Sequence, residues 1–114
     1  MNKLSTGIVA LFVGACISAA LPAQANTQKI YQKNKSFMME DKKIEALTVQ
    51  VGDKLVFENA DPFFHNIFSL SDLKSFDLGS YESGKSKSVT FDKKGKVEVE
   101  CAIHPQMFLE VTVK

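Results

Sequence analysis

Four side chains able to bind a soft or borderline metal ion fall in two short stretches of this sequence. Cys101-Ala102-Ile103-His104-Pro105-Gln106-Met107 gathers a thiol, an imidazole and a thioether, and Phe63-Phe64-His65-Asn66-Ile67-Phe68 places a second imidazole well upstream. His65 and His104 are the chain's only histidines. Two imidazoles, one thiolate and a weak axial thioether make up the donor set of a trigonal copper site. The sulfur donors satisfy Cu(I), while imidazole and thiolate satisfy Cu(II). Little then has to move when an electron arrives or leaves, which favours single-electron transfer over bond-making.

Such a site needs a scaffold that brings residue 65 to residues 101–107. The patterning around both stretches has the two-residue period of half-buried strands. Val97, Val99 and Cys101 share one parity and Lys96, Glu98 and Glu100 the other, so the thiol points to the side of two core valines. Leu109, Val111 and Val113 alternate beyond the loop. Upstream, Leu47, Val49 and Val51 lead into a Gly52-Asp53 turn, followed by Leu55 and Phe57; Val89 and Phe91 alternate later. The lysine-rich stretch Lys29 to Lys35 reads as an edge strand. Met38 and Met39 read as packing, Ser71-Asp72-Leu73-Lys74 as one helical turn, and Phe76 and Leu78 as buried anchors. Short strands, frequent turns and no internal repeat predict an antiparallel β-sandwich or barrel. Pro105 fixes its own φ and disfavours helix at His104, stiffening the loop that carries three of the candidate ligands.

The N-terminal segment differs in kind. Lys3, the apolar run Ile8 to Ile17, and Ala23-Gln24-Ala25 behind Pro22 have the layout of a secretory signal peptide. Its apolar core is shorter than the roughly 18 residues of a membrane span. Cleavage after Ala25 divides the chain into a signal peptide, residues 1–25, and one domain, residues 26–114, located in the periplasm. Of the two cysteines only Cys101 then remains, so no internal disulfide can form, and a lone thiol in an oxidising compartment calls for burial or ligation. Val13-Gly14-Ala15-Cys16 loosely resembles a lipoprotein processing site, but the apolar residues after Cys16 weigh against lipid attachment there. The chain has 14 basic and 13 acidic residues, and this balance gives no reason to expect nucleic acid as a partner.

Cys-x2-His-x2-Met with an upstream His-Asn resembles the cupredoxin family of small type 1 copper proteins, which includes plastocyanin, pseudoazurin and amicyanin. The short interval from His104 to Met107 is most similar to pseudoazurin and amicyanin. Val49 to Asn59 resembles the strand-turn-strand before the family's first histidine ligand, and His65-Asn66-Ile67-Phe68-Ser69 its ligand strand. The resemblance implies a Greek-key antiparallel β-sandwich binding one type 1 copper. His65, Cys101 and His104 would be equatorial ligands and Met107 the axial one. It also implies a monomeric, non-enzymatic electron carrier that forms transient complexes with a redox protein donor and acceptor. Asn66 would fasten the His65 strand to the cysteine loop. Ala102 stands where many relatives have Ser or Thr, so only a backbone partner is available to Asn66 there. Phe63, Phe64, Pro105 and Phe108 are candidates for an apolar patch around His104.

Rival chemistries fit less of this pattern. Zinc would accept Cys101, His65 and His104, but a thioether is a poor fourth ligand. A catalytic copper enzyme needs an open coordination position and further histidines. Nucleophilic catalysis by Cys101 with His104 lacks an oxyanion-hole motif. A periplasmic copper carrier or scavenger could use the same four residues and is the alternative to electron transfer.

Overall fold

A computed structural model describes residues 24–114. The segment expected to be a signal peptide lies, up to residue 23 and with Cys16 included, outside the described residues. Ten strands follow: β1 Thr27–Lys33, β2 Ser36–Met39, β3 Lys42–Lys43, β4 Ala46–Val49, β5 Lys54–Asn59, β6 His65–Leu70, β7 Ser75–Tyr81, β8 Ser86–Thr90, β9 Gly95–Glu100 and β10 Phe108–Val113. They form two five-stranded sheets, ordered β3-β2-β1-β5-β8 and β4-β10-β9-β6-β7. The chain changes sheet between β3 and β4, β4 and β5, β5 and β6, β7 and β8, and β8 and β9, giving the crossovers of a Greek-key sandwich. No helix among the described residues is long and apolar enough to cross a membrane.

Strand alternation builds the core. Leu55 and Phe57 of β5, Val97 and Val99 of β9, and Leu109, Val111 and Val113 of β10 are buried while their neighbours face outward or sit at the margin. Phe37 and Phe57 meet edge to face at 5.9 Å within the first sheet. Met39, Phe76 and Leu78 pack partly buried against this core, as their patterning predicts.

Four local expectations need correction. The sheets are mixed rather than wholly antiparallel, because β1 runs parallel to β5 and β10 parallel to β4. In each parallel pair the chain returns to the sheet only after intervening strands, the long connection that parallel pairing requires. Second, Lys29 to Lys33 belongs to an interior strand. β1 lies between β2 and β5, because a two-residue turn at Asn34-Lys35 folds β2 back onto its open side. Both turn residues have positive φ, 55° and 56°, as a type I′ hairpin turn demands. Third, Val51 is 44% exposed despite its core parity, since β4 ends at Val49. The Asp53 carboxylate accepts the Gln50 and Asn26 amides, and the chain leaves the strand there. Fourth, Ser71 to Lys74 makes a tight turn, closed by the Lys74 amide on the Ser71 carbonyl at 3.2 Å, without becoming a helix.

Candidate metal centre

At one end of the sandwich, the start of β6 meets the loop between β9 and β10. Cys101 directly follows β9 and keeps the inward parity of Val97 and Val99, so its thiol is buried. His65 opens β6 and is fully buried. A bulge on the adjacent strand shapes this end of the sheet. Leu78 and Gly79 of β7 together stand opposite Ile67, between the Asn66–Ser80 and Phe68–Asp77 pairs, with Gly79 at a φ of 77°. His104 is half-buried in the loop, and the Met107 amide donates to its carbonyl at 2.9 Å, closing a turn that buries the Met107 side chain.

Three candidate donor atoms converge. Cys101 Sγ lies 3.6 Å from His65 Nδ1 and 3.7 Å from His104 Nδ1, and the two Nδ1 atoms are 3.2 Å apart. A point equidistant from all three would be about 2.0 Å from each, close to the 2.0–2.3 Å that imidazole and thiolate make to a borderline metal ion. The donor set and its spacing therefore fit copper. Met107 is buried next to this group in sequence, at the end of the same loop.

Hydrogen bonds hold the donors in place. The Asn66 side-chain oxygen accepts the Ala102 amide at 2.7 Å, tying the ligand strand to the loop through the backbone partner expected at residue 102. The Asn66 amide in turn donates to Cys101 Sγ at 3.5 Å. Behind Asn66, its carbonyl accepts from Gln32 Nε2 at 3.3 Å, and Gln32 accepts the Tyr81 hydroxyl. Burial and the nearby Cys101 push the Tyr81 phenol upward, which keeps it a neutral donor.

One contributor left no legible mark in the sequence. Asp61, which reads simply as punctuation before Pro62, is buried and accepts from His65 Nε2 at 2.7 Å. Burial alone would push its carboxyl upward. Hydrogen bonds from His65 and from the Lys35 and Asn34 amides outweigh that effect and hold it below the usual carboxylate value. A carboxylate only accepts, so His65 donates its Nε2–H to Asp61 and turns Nδ1 toward Cys101 and His104. At His104, burial and then the neighbouring His65 and Lys35 lower the imidazole below its ordinary value, with Asp61 opposing. That shift favours the neutral form needed for ligation.

The outer side of the centre is apolar. Phe63 packs on both imidazoles, with ring centroids 5.4 Å from His65 and 5.1 Å from His104. Phe64 is 55% and Ile103 47% exposed, and Pro105 is exposed too. Phe108 is only half-exposed, as the first residue of β10. Ile103 joins the patch beyond the residues that the sequence suggests, exposed because the loop turns outward after Cys101.

Residues 26–114 match the sequence profile of copper binding proteins, plastocyanin/azurin family. The chain belongs to that family. Its fold is that of amicyanin. A methionine-to-alanine variant of amicyanin with Cu(I) superposes at a TM-score of 0.68 with 19% identity, covering 77% of this chain and 82% of that one. A second methionine-to-alanine variant, also in the Cu(I) form, gives 0.67 with 20% identity over 82% and 86%. An oxidized proline-to-alanine variant gives 0.67 with 20% identity over 77% and 82%. No curated protein is matched by the sequence. The cupredoxin fold and the donor set together account for a single type 1 copper site in this chain.

Proposed function

We propose that this cupredoxin is a periplasmic type 1 copper protein that carries single electrons between larger redox proteins. His65, Cys101 and His104 are its equatorial ligands and Met107 its axial ligand. In this reading residues 1–25 are removed as a signal peptide, residues 26–114 act as a monomer, and no substrate is turned over. The observation that carries the proposal is the convergence of three donor atoms within 3.7 Å of one another, held by hydrogen bonds from both chain segments.

Bound copper supplies one-electron cycling between Cu(II) and Cu(I). The chain's residues make that cycling fast by leaving little to rearrange. Asp61 fixes the proton of His65 on Nε2, Asn66 fastens the Cys101 loop, and the Asn66 amide steadies the thiolate. The surrounding core and Phe63 exclude water from the inner side. His104 alone reaches toward the surface, among Phe63, Phe64, Ile103 and Pro105. This patch gives a redox partner an apolar landing area with a ligand edge inside it.

Electron self-exchange tests the proposal. In mixtures of the Cu(I) and Cu(II) forms, NMR line broadening of resonances near His104 should grow with protein concentration, reporting rapid bimolecular exchange. Cu(I)-form resonances that stay sharp in the mixture at millimolar concentration would contradict an electron carrier and favour a copper carrier using the same residues.

A further inference from the structure

Asp61 has more polar partners than its turn requires. One carboxylate oxygen accepts the Asn34 amide at 2.7 Å, and the other accepts the Lys35 amide at 3.1 Å and His65 Nε2 at 2.7 Å. Asn34 and Lys35 are the two residues of the β1–β2 turn, both with positive φ, so consecutive amides point to one side and form a small anion-binding nest. The Asp61 amide donates to Asn59 Oδ1 at 2.9 Å, and Asn59 Nδ2 donates to the Phe63 and Tyr81 carbonyls. The carboxylate is thus held from three directions with its charge against one imidazole.

We propose that Asp61 is a positioning residue for His65 that lowers the reduction potential of the copper site by presenting a fixed anion to the imidazole Nε2–H. The inference rests on the ligand assignment proposed above. Two consequences follow from the geometry. The carboxylate selects the tautomer whose Nδ1 is free to bind metal, so it contributes to copper affinity. It also makes the imidazole a stronger donor, which stabilises Cu(II) more than Cu(I) because the oxidised ion carries the larger charge. The same carboxylate clamps the β1–β2 turn of the first sheet to a ligand strand of the second. The turn that forms the anion nest thereby helps set the electronic character of the metal site.

The test is Asp61→Asn, which keeps the side chain's size but removes its charge and one acceptor. Copper affinity should fall about 10- to 100-fold, as for other residues supporting a metal ligand. In the copper-loaded variant, redox titration should show the reduction equilibrium constant raised about tenfold, a shift of about +59 mV for a one-electron couple. Asn34→Gly, which keeps the turn amide and permits the positive φ, should leave the potential unchanged. A blue Asp61→Asn protein with the wild-type potential would overturn the inference while leaving the ligand assignment standing. A wild-type protein lacking an intense copper–thiolate band would instead sink the ligand assignment. If Asp61→Asn does not fold, ¹⁵N NMR of the Cu(I)-loaded wild-type protein decides the matter. A slowly exchanging proton on His65 Nε2 with a coupling across the hydrogen bond to Asp61 is expected. A His65 Nε2 proton in fast exchange with water would overturn the proposal.

Discussion

His65 and His104 meet with their Nδ1 atoms 3.2 Å apart, yet the chain holds them by different means. His65 begins a paired strand, is completely buried, and has its second nitrogen engaged by a buried carboxylate. His104 lies in a loop between strands, is half-buried, and owes its position to Pro105, the turn at Met107 and the Asn66 bond to Ala102. The sheet side sets the geometry of the centre, whereas the loop side supplies three of four candidate donors and its contact with the surroundings. One rigid support and one exposed loop suit a site that must stay fixed while remaining reachable.

Removing the thiolate gives the largest effect on this arrangement. Cys101→Ser should abolish the intense visible absorption of the Cu(II) protein, and colour surviving that substitution would rule out the proposed copper–thiolate bond. Next come the two histidines, which should respond differently to the same change. His104→Gly opens a gap that free imidazole can reach, so added imidazole should restore a blue spectrum. His65→Gly leaves its gap behind Phe63 and the core, and the same addition should restore little. Equal rescue of both variants would break the distinction between the two sides.

Smaller changes sharpen it. Met107→Leu should keep the colour and raise the potential in a redox titration, because it removes the proposed axial donor without touching the three proposed equatorial ligands. A colourless Met107→Leu protein would show that the loop depends on this side chain for its shape. Asn66→Ala deletes the acceptor for the Ala102 amide and should destabilise the metal-free protein by about 1–3 kcal/mol in denaturant unfolding. An unchanged midpoint there would mean the loop is held by other contacts.

Much of this was legible because alternation and donor chemistry are local signals. The parity of Val97, Val99 and Cys101 correctly orients the thiol inward, and the rarity of His and Cys singles out the three converging residues. Pairing was harder to read. Lysines on β1 mimic an edge strand, but their outward parity leaves Ile30 and Gln32 to face inward, and only the Asn34-Lys35 turn decides that β2 covers the strand. The parallel pairs depend on strands far apart in sequence, which local patterning does not register. Asp61 carries no sequence signal because a carboxylate before proline is ordinary turn chemistry; its role appears only when the β1–β2 turn and His65 are brought around it. Gln32 and Asn59, both buried, were hidden for the same reason.

The most direct test of a redox-active copper centre on these residues is the absorption spectrum of the protein titrated with Cu(II), then reduced with ascorbate and reoxidised. The account predicts an intense band toward the red end of the visible that saturates at one copper per chain, bleaches on reduction and returns on oxidation. A protein that stays colourless with Cu(II) and binds zinc through Cys101, His65 and His104 instead would contradict it.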